Sequence, residues 1–122
     1  MNMNTLNKPT SIGIPYDSNM GIIQTILQQI KYPNRIVYLT WGAKGFTAAQ
    51  SNDESKEPCL RFKVNGRKFK GYVHIFYNWS DWYRVEFVST HNNLKKVVDE
   101  VYFDELQNVI DEYVEKVKEY VF

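Results

Sequence analysis

Asn65-Gly66 stands between two stretches that alternate apolar and polar side chains, and this pair constrains the chain more than any other feature. Before it, residues 60–64 read Leu, Arg, Phe, Lys, Val; after it, a second alternating stretch runs to about Tyr77. Asn-Gly suits a two-residue hairpin turn because both turn positions need positive φ. Such a turn predicts the pairs Val64–Arg67, Lys63–Lys68, Phe62–Phe69 and Arg61–Lys70. Asn78-Trp-Ser-Asp81 then turns the chain again, and residues 82–89 return. An odd-numbered second loop sets Tyr77 against Tyr83, Ile75 against Val85 and Val73 against Phe87. That register gathers every core-type residue on one face, whereas a one-residue slip would move them all to the other. An antiparallel sheet with one apolar face needs a cover on that face and tolerates solvent on the other.

The flanking segments supply the cover. Asp17 and Ser18 are N-cap types, and Ile22, Ile23, Ile26, Leu27 and Ile30 follow at helical spacing. The spacing predicts a helix over residues 18–31, ended by Pro33, which disfavours helical backbone before it. Residues 35–41 are β-branched and aromatic, a strand by composition. Gly42-Ala-Lys-Gly45 interrupts that strand as a turn or bulge, and residues 46–49 resume it. Residues 51–58 form a polar loop, and residues 91–101 fit either a loop or a short strand around 95–98. Asp104 and Gln107 have the spacing of a capping box. They open a helix over residues 104–120 with an apolar stripe of Leu106, Val109, Ile110, Tyr113, Val117 and Tyr120. The expected architecture is an α+β two-layer sandwich. An antiparallel four- to five-stranded sheet carries an N-terminal and a C-terminal helix on one face. Residues 12–122 form one domain, behind a flexible N-terminal tail over 1–11.

Composition narrows the setting. The chain has 122 residues, 43% of them hydrophobic, enough for a core without metal or disulfide. No apolar run approaches the length of a membrane span, and the first residues lack the pattern of a secretory signal. Cys59 is alone, so no internal disulfide forms, which fits a reducing cytoplasm. Charge is uneven along the chain: residues 31–98 carry 12 basic and 5 acidic groups, and residues 99–122 carry 2 basic and 8 acidic. One basic side and one acidic side follow.

The face of the hairpins turned away from the core carries the candidate binding residues. It gathers Arg61, Lys63, Lys68 and Lys70 beside Tyr72, His74 and Phe76, with Arg84 on the neighbouring strand and Trp82 at the turn. Like charges directly across a strand pair cost about 0.2–1 kcal/mol each, so a chain built for stability alone would avoid them. Cations interleaved with rings suit a nucleic-acid backbone with stacked bases. The competing reading is that long Lys and Arg stems shield aromatic surface and keep it hydrated. Lys70-Gly-Tyr-Val-His-Ile-Phe-Tyr77 shares five positions with the third-strand octapeptide of RNA-recognition motifs, but a hairpin follows here where that family has a helix.

Other chemistry is poorly provided for. Gly42-Ala-Lys-Gly45 has the spacing of the KH-domain clamp but follows a strand rather than joining two helices. His74, His91 and Cys59 match no zinc spacing, so no metal and no cofactor are expected. Cys59 lies near His74 across the hairpin, yet nothing marks an oxyanion hole or an orienting group. Asp81 and Glu86 are the only carboxylates of the second hairpin and form no evident acid–base pair. No enzyme activity is expected.

Three segments carry a resemblance: Tyr38-Leu-Thr-Trp-Gly-Ala-Lys-Gly-Phe46, the hairpin from Val73 to Phe87, and Val101-Tyr-Phe-Asp-Glu-Leu106. Together they resemble a family of small uncharacterised proteins of phages and mobile elements. That family has a Gly-Ala-Lys-x-Phe strand, an Asn-x-x-Asp-x-Tyr hairpin turn and an acidic start to a final helix. The resemblance covers roughly residues 22–112 and brings no catalytic residues with it. It implies a bacterial host cytoplasm and action by binding a host protein or ribonucleoprotein, including inhibition of a defence effector in the manner of anti-CRISPR proteins. The alternative is a single-stranded RNA- or DNA-binding protein that uses the basic aromatic face. Neither reading involves a membrane.

Overall fold

A computed structural model describes residues 9–10 and 17–116. Its elements run β1 (Pro9–Thr10), α1 (Asp17–Lys31), α2 (Arg35–Thr40), β2 (Lys44–Ser51), β3 (Pro58–Asn65), β4 (Lys70–Asn78), β5 (Trp82–Ser89), β6 (Leu94–Val101) and α3 (Leu106–Val114). The strands form one antiparallel sheet in chain order, with five full strands and the two-residue β1 at the edge. Helices near both ends pack on one face, so the α+β two-layer sandwich stands. The core joins Ile23, Ile26 and Ile30 of α1 to Phe62, Val73, Ile75, Val85 and Phe87 of the sheet and to Leu106, Ile110 and Val114 of α3.

The second hairpin has the expected register, with Tyr77 opposite Tyr83, Ile75 opposite Val85 and Val73 opposite Phe87. Its turn is three residues long and held by its own side chains. Ser80 N donates to Asn78 Oδ1 at 2.8 Å, and Asp81 adopts positive φ, a conformation Asp and Asn tolerate best among residues with a Cβ.

The first hairpin differs from expectation. Asn65 pairs with Lys70, leaving a four-residue loop rather than a two-residue turn. The cause is the end of α3. Lys68 N and Phe69 N both donate to the Val114 carbonyl, and Arg67 N donates to Glu115 Oε1. The wider loop thus supplies donors that a helix C-terminus otherwise lacks. Gly66 is packed so closely there that a Cβ would fall 2.3 Å from the Val114 oxygen. The expected pairs Lys63–Lys68 and Arg61–Lys70 are replaced by Lys63–Tyr72 and Arg61–His74. The shift is even, so each strand residue keeps its face.

The expected strand over 35–41 is instead helix α2. Asn34, in extended backbone, accepts from Ile36 N and Val37 N and caps it. The helix delivers Trp41 into the core, where its indole N–H donates to Asp111 Oδ1 at 3.0 Å. That burial outweighs the weak strand preference of Ile36 and Val37. Gly42, at positive φ, follows the helix, and Gly45, also at positive φ, lies in the irregular stretch where the β2–β3 register shifts between Lys44 and Thr47. Within residues 91–101, Leu94–Val101 form the full edge strand β6. Helix α3 begins at Leu106, two residues later than expected, and no capping box forms. Gln107 is drawn elsewhere: its side-chain amide donates to the carbonyls of Ile30 and Asn34, clipping the end of α1 to the start of α2. Val117 and Tyr120 of the expected longer helix, and all of the expected tail except Pro9 and Thr10, lie outside the described residues.

Candidate functional site

Cross-strand pairing arranges the second face of the sheet in three rows. The first runs Ala49, Cys59, Phe76, Arg84 from β2 to β5. The second runs Thr47, Arg61, His74, Glu86, Val97, and the third Lys44, Lys63, Tyr72, Val88, Leu94. Lys70 sits beside the third row, opposite Asn65.

The first row, with His74 and Glu86 of the second, forms a closed polar centre. Phe76, Cys59 and Ala49 are buried as a small cluster that no described helix residue joins. The Arg84 guanidinium lies 4.3 Å from the centroid of the Phe76 ring. It donates to Glu57 Oε1 at 2.9 Å through Nη1 and to Glu86 Oε2 at 3.2 Å through Nε. Asn78 donates to the other Glu57 oxygen. His74 Nδ1 is 3.9 Å from Glu86 Oε1, too far for a hydrogen bond, and neither ring nitrogen has a partner among the described residues. Burial pushes the His74 imidazole below its usual value of 6.5 despite the pull of Glu86. Burial likewise pushes the Cys59 thiol well up, with the Glu86 charge adding to it, so sulfur stays protonated at neutral pH.

The third row is different in kind. Lys44 and Lys63 face each other directly across β2 and β3, and both are exposed. The Arg61 guanidinium stacks 4.1 Å above the Tyr72 ring. Among the described residues no carboxylate lies within ion-pair distance of Lys44, Arg61, Lys63 or Lys70.

Of the predicted face, the structure therefore brings Arg61, Lys63, Lys70 and Tyr72 together as an accessible group. It buries His74 and Phe76, ties Arg84 to two acids and leaves Trp82 half-buried opposite Asn78. Lys68 leaves the face altogether, because the wider loop swings it to α3, where Nζ donates to the Glu112 carbonyl. His91 is exposed in the β5–β6 turn, far along the chain from both other candidate metal ligands. Two members were missed. Lys44 was hidden by the bulge that breaks the alternation of β2. Glu57 sits at the end of a loop read as surface, yet it is buried as the partner of Arg84.

Among the described residues no three His, Cys, Asp or Glu side chains are grouped to hold a metal ion, and no helix is long and apolar enough to cross a membrane. Compared with family models, curated proteins and solved structures, the chain matches none.

Proposed function

We propose that this chain is a non-catalytic binding protein that docks an anionic surface of a host protein or ribonucleoprotein through Lys44, Arg61, Lys63 and Lys70. The resemblance to phage and mobile-element proteins supplies the setting, a bacterial cytoplasm, and the class of outcome, inhibition of a defence effector. The observation that carries the docking surface is the Lys44–Lys63 pair. Two like charges are held directly opposite each other, beside two more cations, with no acid in reach among the described residues. A partner's negative charge would relieve a repulsion that the fold itself leaves standing. Replacing Lys44, Lys63 and Lys70 together by Gln removes capture of the partner from host lysate and leaves the fold unchanged; equal capture by both proteins rejects this surface.

A second reading, single-stranded nucleic-acid binding, draws on Tyr72, whose ring lies among the same cations. Phe76 and His74 are buried, so bases would have little to stack on, and contact would be mostly to phosphates. Fluorescence anisotropy with short single-stranded RNA and DNA at two salt concentrations separates the readings. Steep salt dependence that the triple Gln variant abolishes favours nucleic acid; no binding at low salt leaves a protein partner.

A further inference from the structure

On the helix side of the sheet, at the end away from the basic row, a cleft of about 600 Å³ opens between α1, the β4–β5 turn and the β6–α3 connection. Its walls are Tyr77, Asp81, Tyr83, Tyr102 and Phe103, with Gln29 at the back. The volume lies within the range of small-ligand and side-chain pockets, about 300–1,000 Å³.

The three tyrosine hydroxyls at this cleft all donate within the chain. The Tyr77 hydroxyl donates to Asp81 Oδ1 at 2.6 Å, the Tyr83 hydroxyl to Gln29 Oε1 at 2.6 Å, and the Tyr102 hydroxyl to Glu100 Oε2 at 2.9 Å. Each hydroxyl proton is thereby used within the chain. What the tyrosines and Asp81 leave toward an incoming group is carboxylate oxygen and aromatic face, beside the Gln29 amide and the Ser80 hydroxyl. Tyr77 and Tyr83 meet at 60° with centroids 5.8 Å apart, forming a corner, and the exposed Tyr102 and Phe103 stand at the mouth. Among the described residues no cation lines the cleft, while Glu100, Asp104 and Glu105 flank Tyr102 and Phe103 in sequence. Ring faces with a carboxylate and no competing cation are complementary to a positive group that donates hydrogen bonds.

We propose that this cleft receives an arginine side chain from a surface segment of a partner protein. The planar guanidinium stacks on the tyrosine corner and forks onto the carboxylate of Asp81, and its aliphatic stem lies against Phe103. A protein segment is favoured over a free small cation because the exposed rings of Phe103, Tyr102 and Trp79 lie around the cleft, where a flanking chain would cover them. The site is separate from the basic row and does not depend on it.

The test is an NMR titration of the full chain with a short Gly-Ser peptide carrying one arginine, and with the same peptide carrying citrulline, which keeps the shape and loses the charge. The arginine peptide moves the amide signals of Gly21, Thr25 and Ser80, and the citrulline peptide does not. Asp81→Asn weakens binding about tenfold, the scale of one desolvated cation–π or charged contact. Asn also tolerates the positive φ of this position, so the turn survives the change. Phe103→Ala, at an exposed site, weakens binding without unfolding the chain. Equal shifts from the citrulline peptide, or none localised to the cleft at millimolar peptide, overturn the assignment.

Discussion

Replacing Arg84 by Met leaves Glu57 and Glu86 facing an apolar side chain. Both residues are 5% exposed, and Arg84 is within 3.2 Å of each. Removing one partner of a buried ion pair costs about 3–5 kcal/mol, because the charge left behind is uncompensated. Here two charges are left, though Asn78 still donates to Glu57, so the variant is placed at about 4 kcal/mol. A domain of this kind has about 5–15 kcal/mol in all, so the midpoint of a urea transition falls sharply. The triple variant Arg84→Met, Glu57→Gln, Glu86→Gln keeps the shapes and removes the charges, and it recovers most of the loss. Equilibrium urea unfolding followed by tryptophan fluorescence measures all three proteins. A loss below about 1 kcal/mol for Arg84→Met would equal a solvent-exposed pair and refute a buried network on this face. Failure of the triple variant to recover would show that the cost comes from packing on Phe76 instead.

Further outcomes follow from the same geometry. Gly66→Ala puts a Cβ against the Val114 backbone and destabilises by about 1–3 kcal/mol, and hydrogen exchange at the Lys68 and Phe69 amides rises with it. His74 faces Glu86 and Arg61, and its folded pKa lies below the unfolded value; the unfolded chain therefore binds the proton more readily. The stability from this group is fully present above about pH 6.5 and is lost as pH falls through the lower folded value, and His74→Gln flattens that slope in acid titrations of the unfolding midpoint. Lys44→Glu converts a like-charge pair into an opposite one and raises stability by about 0.2–1 kcal/mol in thermal melts, while it weakens partner capture.

How much of this was legible depends on what each residue's neighbours were. Helix α1 and the second hairpin came directly from Ile22 to Ile30 and from the alternation of residues 73–87, because a repeated period needs no distant partner to be read. Helix α2 was misread since its strand-like composition outweighed the one local helix signal, the cap at Asn34, while the burial of Trp41 against Asp111 depends on a residue far along the chain. The Asn-Gly turn and the start of α3 failed for the same reason: Val114 claims the loop, and Gln107 is claimed by Ile30 and Asn34. Edge strand β6 was ambiguous because Lys95, Lys96 and Val97 are all exposed, which erases the two-residue period. At the face, the cations of β3 and β4 could be read from alternation. The placement of Arg84 opposite Phe76 follows from the expected register of the second hairpin, but that Glu57 would come in from the β2–β3 loop to pair with Arg84 could not be read.

The most direct measurement is affinity capture from bacterial host lysate at graded salt, comparing the wild-type chain with Lys44→Gln, Lys63→Gln, Lys70→Gln. A partner held by the wild type at low salt, released as salt rises and absent from the variant is the predicted result. A partner retained equally by both proteins, independent of salt, would contradict docking through the basic row.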